Sequence, residues 1–314
     1  MSTTTLTHLD PTVRHDMVLL FDVTDGNPNG DPDAGNAPRT DIDSGHGLVT
    51  DVAIKRKIRD CLALAAAGHP RYGIFIEAGY ALNTRLVESL SATGVERPTD
   101  SKKGAKTKAK LTPEQAETAR AWLCDRYADI RLFGAVLSTG ETNALGSIRG
   151  PLQVGMARSL SPVMPVEHAI TRVTQTRQAD IDDGESTEMG SKWTIPYALY
   201  RAEITYSAAR GTQTGVDTKD FELLYQVLEM MFDHDSSATR GRMTARALHV
   251  FSHDNAFGNA PAQKLLERIN PTPAAEAGVL DSGDWVPRRY TDYTTPDIDT
   301  ATLPTGITYT NVFD

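Results

Sequence analysis

Apolar residues at alternate positions between Asp16 and Val23, namely Met17, Leu19, Phe21 and Val23, predict a strand. The run Asp25-Gly26-Asn27-Pro28-Asn29-Gly30-Asp31-Pro32-Asp33 ends it with turn-forming residues. From there to Gly47 the chain spends more than 20 residues, longer than a compact domain needs for a connection, which marks an ordered or functional loop. The pattern then changes to helical. Thr50 is placed as an N-cap, Asp51 sits in the first turn, and Ile54, Ile58, Cys61, Leu62 and Ala65 form one stripe before Gly68-His69-Pro70. Arg71 to Leu82 reads as strand or mixed structure. The segment with Lys102, Lys103, Lys106, Lys108 and Lys110 is too polar to pack and reads as mobile.

Thr112-Pro113-Glu114 opens a second helix that runs to about Tyr127. Strand signals follow, in Leu132 to Leu137, in Leu152 to Met156, and onward to Ile204. Between Pro165 and Trp193 an alternating arm from His168 to Thr176, an acidic tip (Asp180, Asp182, Asp183, Glu185) and a returning strand predict a projecting hairpin. Asp217 to Phe232 is amphipathic, with Phe221, Leu224, Leu228 and Met231 on one face, and Ala247 to Phe251 is a further strand. Residues 271–314 are rich in Pro and Asp and are expected to wrap the surface. No internal repeat is visible, so the plan is a single α+β domain: a split βαβ sheet carrying long insertions.

The chain has 314 residues, with 32 Lys and Arg against 41 Asp and Glu, a net charge of −9. Hydrophobic residues at 39 % and charged residues at 23 % are ordinary globular values, which excludes a disordered or fibrous chain. Met1 to Asp16 lacks the pattern of an export signal, and the longest apolar run, Cys61 to Ala67, falls far short of the roughly 18 residues of a membrane span. The expected location is the cytoplasm, away from any membrane. Cys61 and Cys124 have neither disulfide nor zinc spacing and read as core residues.

An acidic total disfavours nucleic acid unless positive charge is gathered locally. Such gathering is visible. Lys55, Arg56 and Arg59 lie opposite the apolar stripe of their helix, so they form either a phosphate grip or an ordinary solvated face. Arg131 to Arg177 holds five arginines and two acids, whereas residues 271–314 hold seven acids and two arginines. The lysine segment could close over a single strand or remain a solvated loop. Met164 and Met189, at the roots of the hairpin, could pack or act as an apolar wedge between bases. Aromatics make up only 7 %, so stacking on rings is not the main mode.

Other chemistry fits less well. The loop from Asp25 begins like an EF-hand, but its twelfth position is Asn36 and a strand precedes it, so an Asx-turn-rich loop is the better reading. The pairs His249/His253 with Asp254, Asp233-His234-Asp235, and His46 with Asp51 lack metal-ligand spacing and read as structural. No catalytic triad order, P-loop or dinucleotide fingerprint is present. No cofactor is expected.

Long ordered blocks carry a family resemblance: Asp22 to Asp33, Gly47 to Arg59, Phe133 to Leu137, Arg149 to Val154, Ala157-Arg158-Ser159, Met189 to Lys192 with Pro196-Tyr197, and Met231 to Gly241. Together they resemble the type I-C CRISPR-associated Cascade backbone subunit, a Cas-seven protein of the RAMP superfamily, over most of residues 16–270. The resemblance implies a modified RRM, ferredoxin-like palm across residues 1–314, with a finger-like insertion at 68–115, a thumb β-hairpin at 160–195 and a surface-wrapping tail at 271–314. It implies a non-catalytic subunit that binds CRISPR RNA and polymerises head to tail along it as a helical filament, presenting the guide to a target DNA strand. Other copies of itself, the large, small and guide-processing subunits and a recruited helicase-nuclease are the implied partners. The implied RNA-binding residues are Lys55, Arg56, Arg59, Arg149, Arg158, Ser159, Lys192 and Arg240, with Met164 and Met189 as the wedge. Related type III backbone subunits cut target RNA with an aspartate after the first strand. The alternative function is therefore a metal-dependent RNA nuclease using the loop 25–33, through Asp31 or Asp33.

Overall fold

The computed structural model describes residues 6–94, 111–138, 145–184, 186–274 and 285–314. The lysine segment 102–110 and Glu185 of the hairpin tip lie outside them. In chain order the principal elements are β1 (His15–Gly26), β2 (His46–Val49), α1 (Asp51–Ala65), α2 (Leu82–Ala92), α3 (Pro113–Arg126), α4 (Ala128–Phe133), β3 (Gly134–Val136), β4 (Ser147–Arg149), β5 (Leu152–Val154) and β6 (Ala157–Pro162). They continue with β7 (Val166–Arg172), α5 (Gln178–Asp182), β8 (Glu188–Tyr206), α6 (Ala208–Thr214), α7 (Thr218–His234), β9 (Arg242–His253), α8 (Ala262–Leu266) and β10 (Ile307–Asn311). The fold is α+β, built on a sheet of order β10-β9-β1-β8-β6-β2, with β5 and β7 also paired to β8. Its strand pairings are antiparallel.

β1 lies in the middle because it is apolar on both faces. Met17, Leu19, Phe21 and Val23 pack with Ile54 and Ile58 of α1 and with Phe221, Leu224 and Leu228 of α7. Sequence alternation marks that face alone. Val18 and Leu20 are equally buried on the other side, against Leu265, Leu266, Ile269, Tyr293 and Ile307. Each such side chain contributes about 1.5–3 kcal/mol on leaving water. Phe21 stacks on its cross-strand partner Tyr200 with centroids 5.3 Å apart and planes 9° apart. A register shift between Leu20 and Phe21 skips one residue of β9, Arg246, whose Nε donates to Asp22 at 2.9 Å.

α1 and α3 start at their expected caps, and α7 at a cap of the same kind. Thr50 Oγ1 accepts from Ala53 N at 3.3 Å, Thr112 and Gln115 close a capping box on α3, and Asp217 and Asp220 close another on α7. α2, absent from the sequence reading, combines with α3 and the β3–β4 ribbon around Phe75, Leu86, Leu90, Leu123, Tyr127 and Leu145 to make a second, smaller core. Other segments differ in part from their expected form. Leu132 and Phe133 end helix α4, with Gly134 at φ 74 breaking it before the short β3. Arg71 to Ala81 forms no extended strand, only an isolated bridge from Gly73 to Tyr127. The hairpin arms β7 and β8 pair from Val166–Thr194 to Arg172–Glu188 as expected, but the tip carries helix α5. No helix among the described residues is long and apolar enough to cross a membrane.

Candidate nucleic-acid interface

The turn-rich loop after β1 is pinned from two sides. Asn29 Oδ1 accepts both the backbone N–H of Thr50, at 2.9 Å, and its hydroxyl, at 3.0 Å, which fixes the loop to the start of α1. Asn27 donates its backbone N–H to the Thr239 carbonyl at 2.9 Å and its side-chain amide to the Asn36 carbonyl at 2.7 Å. The loop is thereby bound to the turn 236–241 that joins α7 to β9. The apposition is backbone on backbone: a Cβ on Gly26 would overlap the Arg240 carbonyl, and one on Gly241, at φ 62, would overlap the Asp25 carbonyl.

Between α1, this loop and the 236–241 turn lies a cleft of about 420 Å³. Arg56 and Lys57 of α1 and Arg240 of the turn line it, with Asn27, Asn29 and the hydroxyl residues Ser237 and Thr239. Arg240 and Lys57 both form ion pairs with Asp235, which follows the last turn of α7. Arg56 is exposed and pairs with Asp60 at 2.7 Å, one turn along the helix. Burial and the Arg240 charge push Lys57 down to about 7, and the Asp60 carboxylate opposes that shift. Guanidinium, ammonium, hydroxyl and amide groups around an open cleft can hold phosphate oxygens.

Of the residues expected to bind RNA, the structure brings Arg56 and Arg240 into this cleft and scatters the other cations. Arg59 does not face solvent. It is buried, donates to Asp129 Oδ2 at 2.9 Å and lies over the Phe133 ring, because α1 also packs against α4 and so buries a second flank. Lys55 is drawn to the same ring and to Asp51 at 3.0 Å. Arg149 lies on β4, beside a separate cleft shared with Glu117, Arg120 and Gln213. Arg158 alternates in phase with Leu160, which packs in the layer around Val18 and Leu20, so the sheet separates it from α1. It is ion-paired to Asp41, and Arg158 and two backbone N–H groups hold the Asp41 carboxyl down to about 2. Ser159 is buried, accepting from Gly47 N at 2.7 Å and donating to the Ser161 carbonyl at 2.6 Å, so it fixes β2 to β6 and presents nothing outward. Lys192 is half-buried opposite His168 on the hairpin. Met164 and Met189 are 82 % and 76 % exposed, which excludes core packing for either.

Lys57 escaped sequence reasoning as a functional candidate, and Asp235 was read only as structural. Lys57 lies in the buried turn of Ile54, Ile58 and Cys61, where a charge requires a partner, and this was the available signal. Its partner Asp235 is 178 positions away. In the acidic loop, Asp31 Oδ1 accepts from Asp33 N at 3.1 Å and Oδ2 pairs with Arg39 at 3.2 Å, while Asp33 is exposed. His46, His249 and His253 bond to the Ser159 carbonyl, the Tyr309 hydroxyl and Asp16 respectively. Cys61 and Cys124 are both buried thiols. Among the described residues no group of three His, Cys, Asp or Glu side chains is arranged to hold a metal ion.

A family model described as CRISPR-associated protein Cas7 matches residues 13–299. The chain belongs to the Cas7 family. A CRISPR-associated protein Cas7 of Haloferax volcanii is 29 % identical over 187 residues, covering 54 % of this chain and 51 % of the relative. The match thus spans about half the length of that Cas7 protein. Among solved structures, a chain of a CRISPR RNA-guided surveillance complex in a pre-nicking state aligns with 13 % identity and a TM-score of 0.46, over 76 % of this chain and 78 % of the other. A chain of a second CRISPR RNA-guided surveillance complex aligns with 13 % identity and a TM-score of 0.41, over 76 % and 68 %.

Proposed function

We propose that this Cas7-family chain is the CRISPR RNA-binding backbone subunit of a type I-C Cascade complex, stacking head to tail along one guide and presenting its bases to target DNA. The chain acts as a scaffold, with sequence read by base pairing and the protein holding backbone. The large, small and guide-processing subunits would complete the complex, and a recruited helicase-nuclease would degrade the DNA. The observation that carries this reading is the cleft in which Arg56, Lys57 and Arg240 converge on the loop after β1. Local charge overrides the acidic total there, because phosphate binding depends on the cations that meet the strand.

The strand order β9-β1-β8-β6, with α1 and α7 packed on one face, supports a modified RRM palm. Its other face is covered by residues from the C-terminal third, so bases do not stack on the open sheet as they do in simple RRMs. Residues 68–115 are proposed as the finger, 160–195 as the thumb and 271–314 as the wrapping tail. The exposure of Met164 and Met189 supports a wedge at the thumb. Arg149, Arg158 and Lys192 would then meet other stretches of the strand than the one in the cleft.

The test is purification followed by nucleic-acid extraction. RNA that co-purifies, is destroyed by ribonuclease and survives deoxyribonuclease supports the scaffold. Protein that is free of RNA and fails to bind a single-stranded RNA oligonucleotide at low salt refutes it.

A further inference from the structure

We propose that Asp235 is a positioning residue of the cleft, anchoring Arg240 from behind so that the outer part of its guanidinium is fixed toward a phosphate. The inference rests on the RNA-holding reading above and adds to it the means by which the cleft is kept ready. A carboxylate beside a phosphate site is electrostatically unfavourable, since it repels the ligand and cancels one of the cations. Its presence calls for a compensating role.

The exposures show the order of the three groups. The side chain of Lys57 is 5 % exposed, that of Asp235 16 % and that of Arg240 39 %, so the carboxylate lies between a cation on the floor and a cation at the mouth. Arg240 Nη1 is buried and ion-paired with Asp235 without a hydrogen bond of good geometry, while the Arg240 side chain, 39 % exposed, lines the cleft. A carboxylate that blocked the site would line the cleft beside Arg240, and Asp235 is not among the lining residues. Both ends of the contact are also fixed by backbone. Asp235 N bonds to the Met231 carbonyl at 3.2 Å as the cap of α7, and Arg240 N bonds to the Ser237 carbonyl at 3.1 Å within the turn. Lys57 has a matching part: its Nζ meets the same Oδ2 of Asp235 that Arg240 does, and lies 6.0 Å from the Phe232 ring centroid. A long cationic side chain at a cleft mouth otherwise samples many rotamers, and ordering them on binding opposes affinity.

Positioning and simple charge make opposite predictions for Asp235→Asn. The substitution adds one net positive charge to the cleft, so a bystander carboxylate predicts tighter RNA binding and a steeper salt dependence. The positioning role predicts weaker binding in spite of that gain. The experiment is fluorescence anisotropy with a labelled oligouridine at several salt concentrations, on wild type, Asp235→Asn, Arg240→Ala and the double variant. Because Asp235→Asn strands the buried Lys57 ammonium, the comparison is repeated in a Lys57→Met background, where no buried charge is left alone. The expected result is roughly fivefold to tenfold weaker binding for Asp235→Asn, with no further loss once Arg240 is Ala. Binding equal to or tighter than wild type, or the same loss without Arg240, overturns the proposal. Should wild type bind no RNA, the function reading falls instead, and nitrogen relaxation of the Arg240 Nε still decides the positioning role. A rigid Arg240 in wild type that becomes mobile in Asp235→Asn supports it, and equal mobility in both rejects it.

Discussion

Arg131 and Asp220 form a two-pronged ion pair with no solvent exposure on either side chain, Nε to Oδ2 at 2.9 Å and Nη2 to Oδ1 at 2.6 Å. Arg131 Nη1 donates to the carbonyls of Arg71, Cys124 and Asp125, and Asp220 is also the capping-box residue of α7. One guanidinium thus ties the smaller core to the first turn of the helix that covers the sheet. Arg131→Ala would leave the buried Asp220 carboxylate only its longer contact with Arg71, at 3.6 Å, and is expected to cost about 3–5 kcal/mol. Arg131→Lys recovers little of this, since an ammonium cannot reproduce the fork. Urea titration of each variant measures the loss.

Acid sensitivity should centre on His15. Its ring is buried, with Nε2 donating to the Asp10 carbonyl at 2.8 Å and Nδ1 accepting from the Ser252 hydroxyl at 2.9 Å, so the neutral form satisfies both nitrogens. Burial pushes His15 from 6.5 down to about 4. The unfolded chain therefore binds a proton that the fold refuses. The contribution of the neutral ring is complete above the unfolded value and falls away as pH drops from 6.5 toward 4, by up to about 3 kcal/mol. His249, buried and likewise held near 4, acts in the same direction. Melting temperature followed over this interval should fall, and His15→Gln should flatten the slope while lowering stability at neutral pH. An unchanged slope in that variant would reject the assignment.

The salt dependence of RNA binding separates cleft residues from their neighbours on α1. Arg56→Ala and Arg240→Ala should each reduce the slope of log K against log salt by about 0.7, the value for one single-strand phosphate contact. Lys55→Ala, whose ammonium pairs with Asp51, should leave the slope unchanged. Arg59→Ala should instead lower stability by about 3–5 kcal/mol, because Asp129 would be left buried without its cation. Anisotropy titrations and thermal melts on the four variants distinguish these outcomes.

Gly241 should be intolerant of any side chain. Its φ of 62 is unfavourable for other residues, and a Cβ would meet the Asp25 carbonyl. Gly241→Ala is expected to cost about 1–3 kcal/mol and to shift Arg240, weakening RNA binding in the protein that still folds. A variant with wild-type melting and wild-type affinity would show that the two backbones are not held as described.

The sequence makes the regular elements legible where periodicity and caps agree. α1, α3 and α7 begin at Thr50, Thr112 and Asp217, each with a side chain that accepts from the first turn. α2 begins at Ala81, which has no side-chain cap, and its buried face includes Arg85, so neither signal marks it. The cleft is half legible for a related reason. Lysines and arginines on a helix can be sorted into faces from spacing alone, but a flank buried against a second element cannot, and Arg59 lies on such a flank. Arg240 and Asp235 enter through a turn remote from α1, and their meeting with Lys57 depends on the order in which strands join the sheet.

β8 runs without interruption from Glu188 in the exposed hairpin to Tyr206 beneath the helices, and it is paired with β1 along its inner half. The hairpin is therefore a cantilever clamped in the middle of the molecule. Its root is fixed when the sheet forms, while the outer arm, 188–194, is held by β7 alone. Whatever grips the far end therefore pulls on a strand whose other end is the centre of the core.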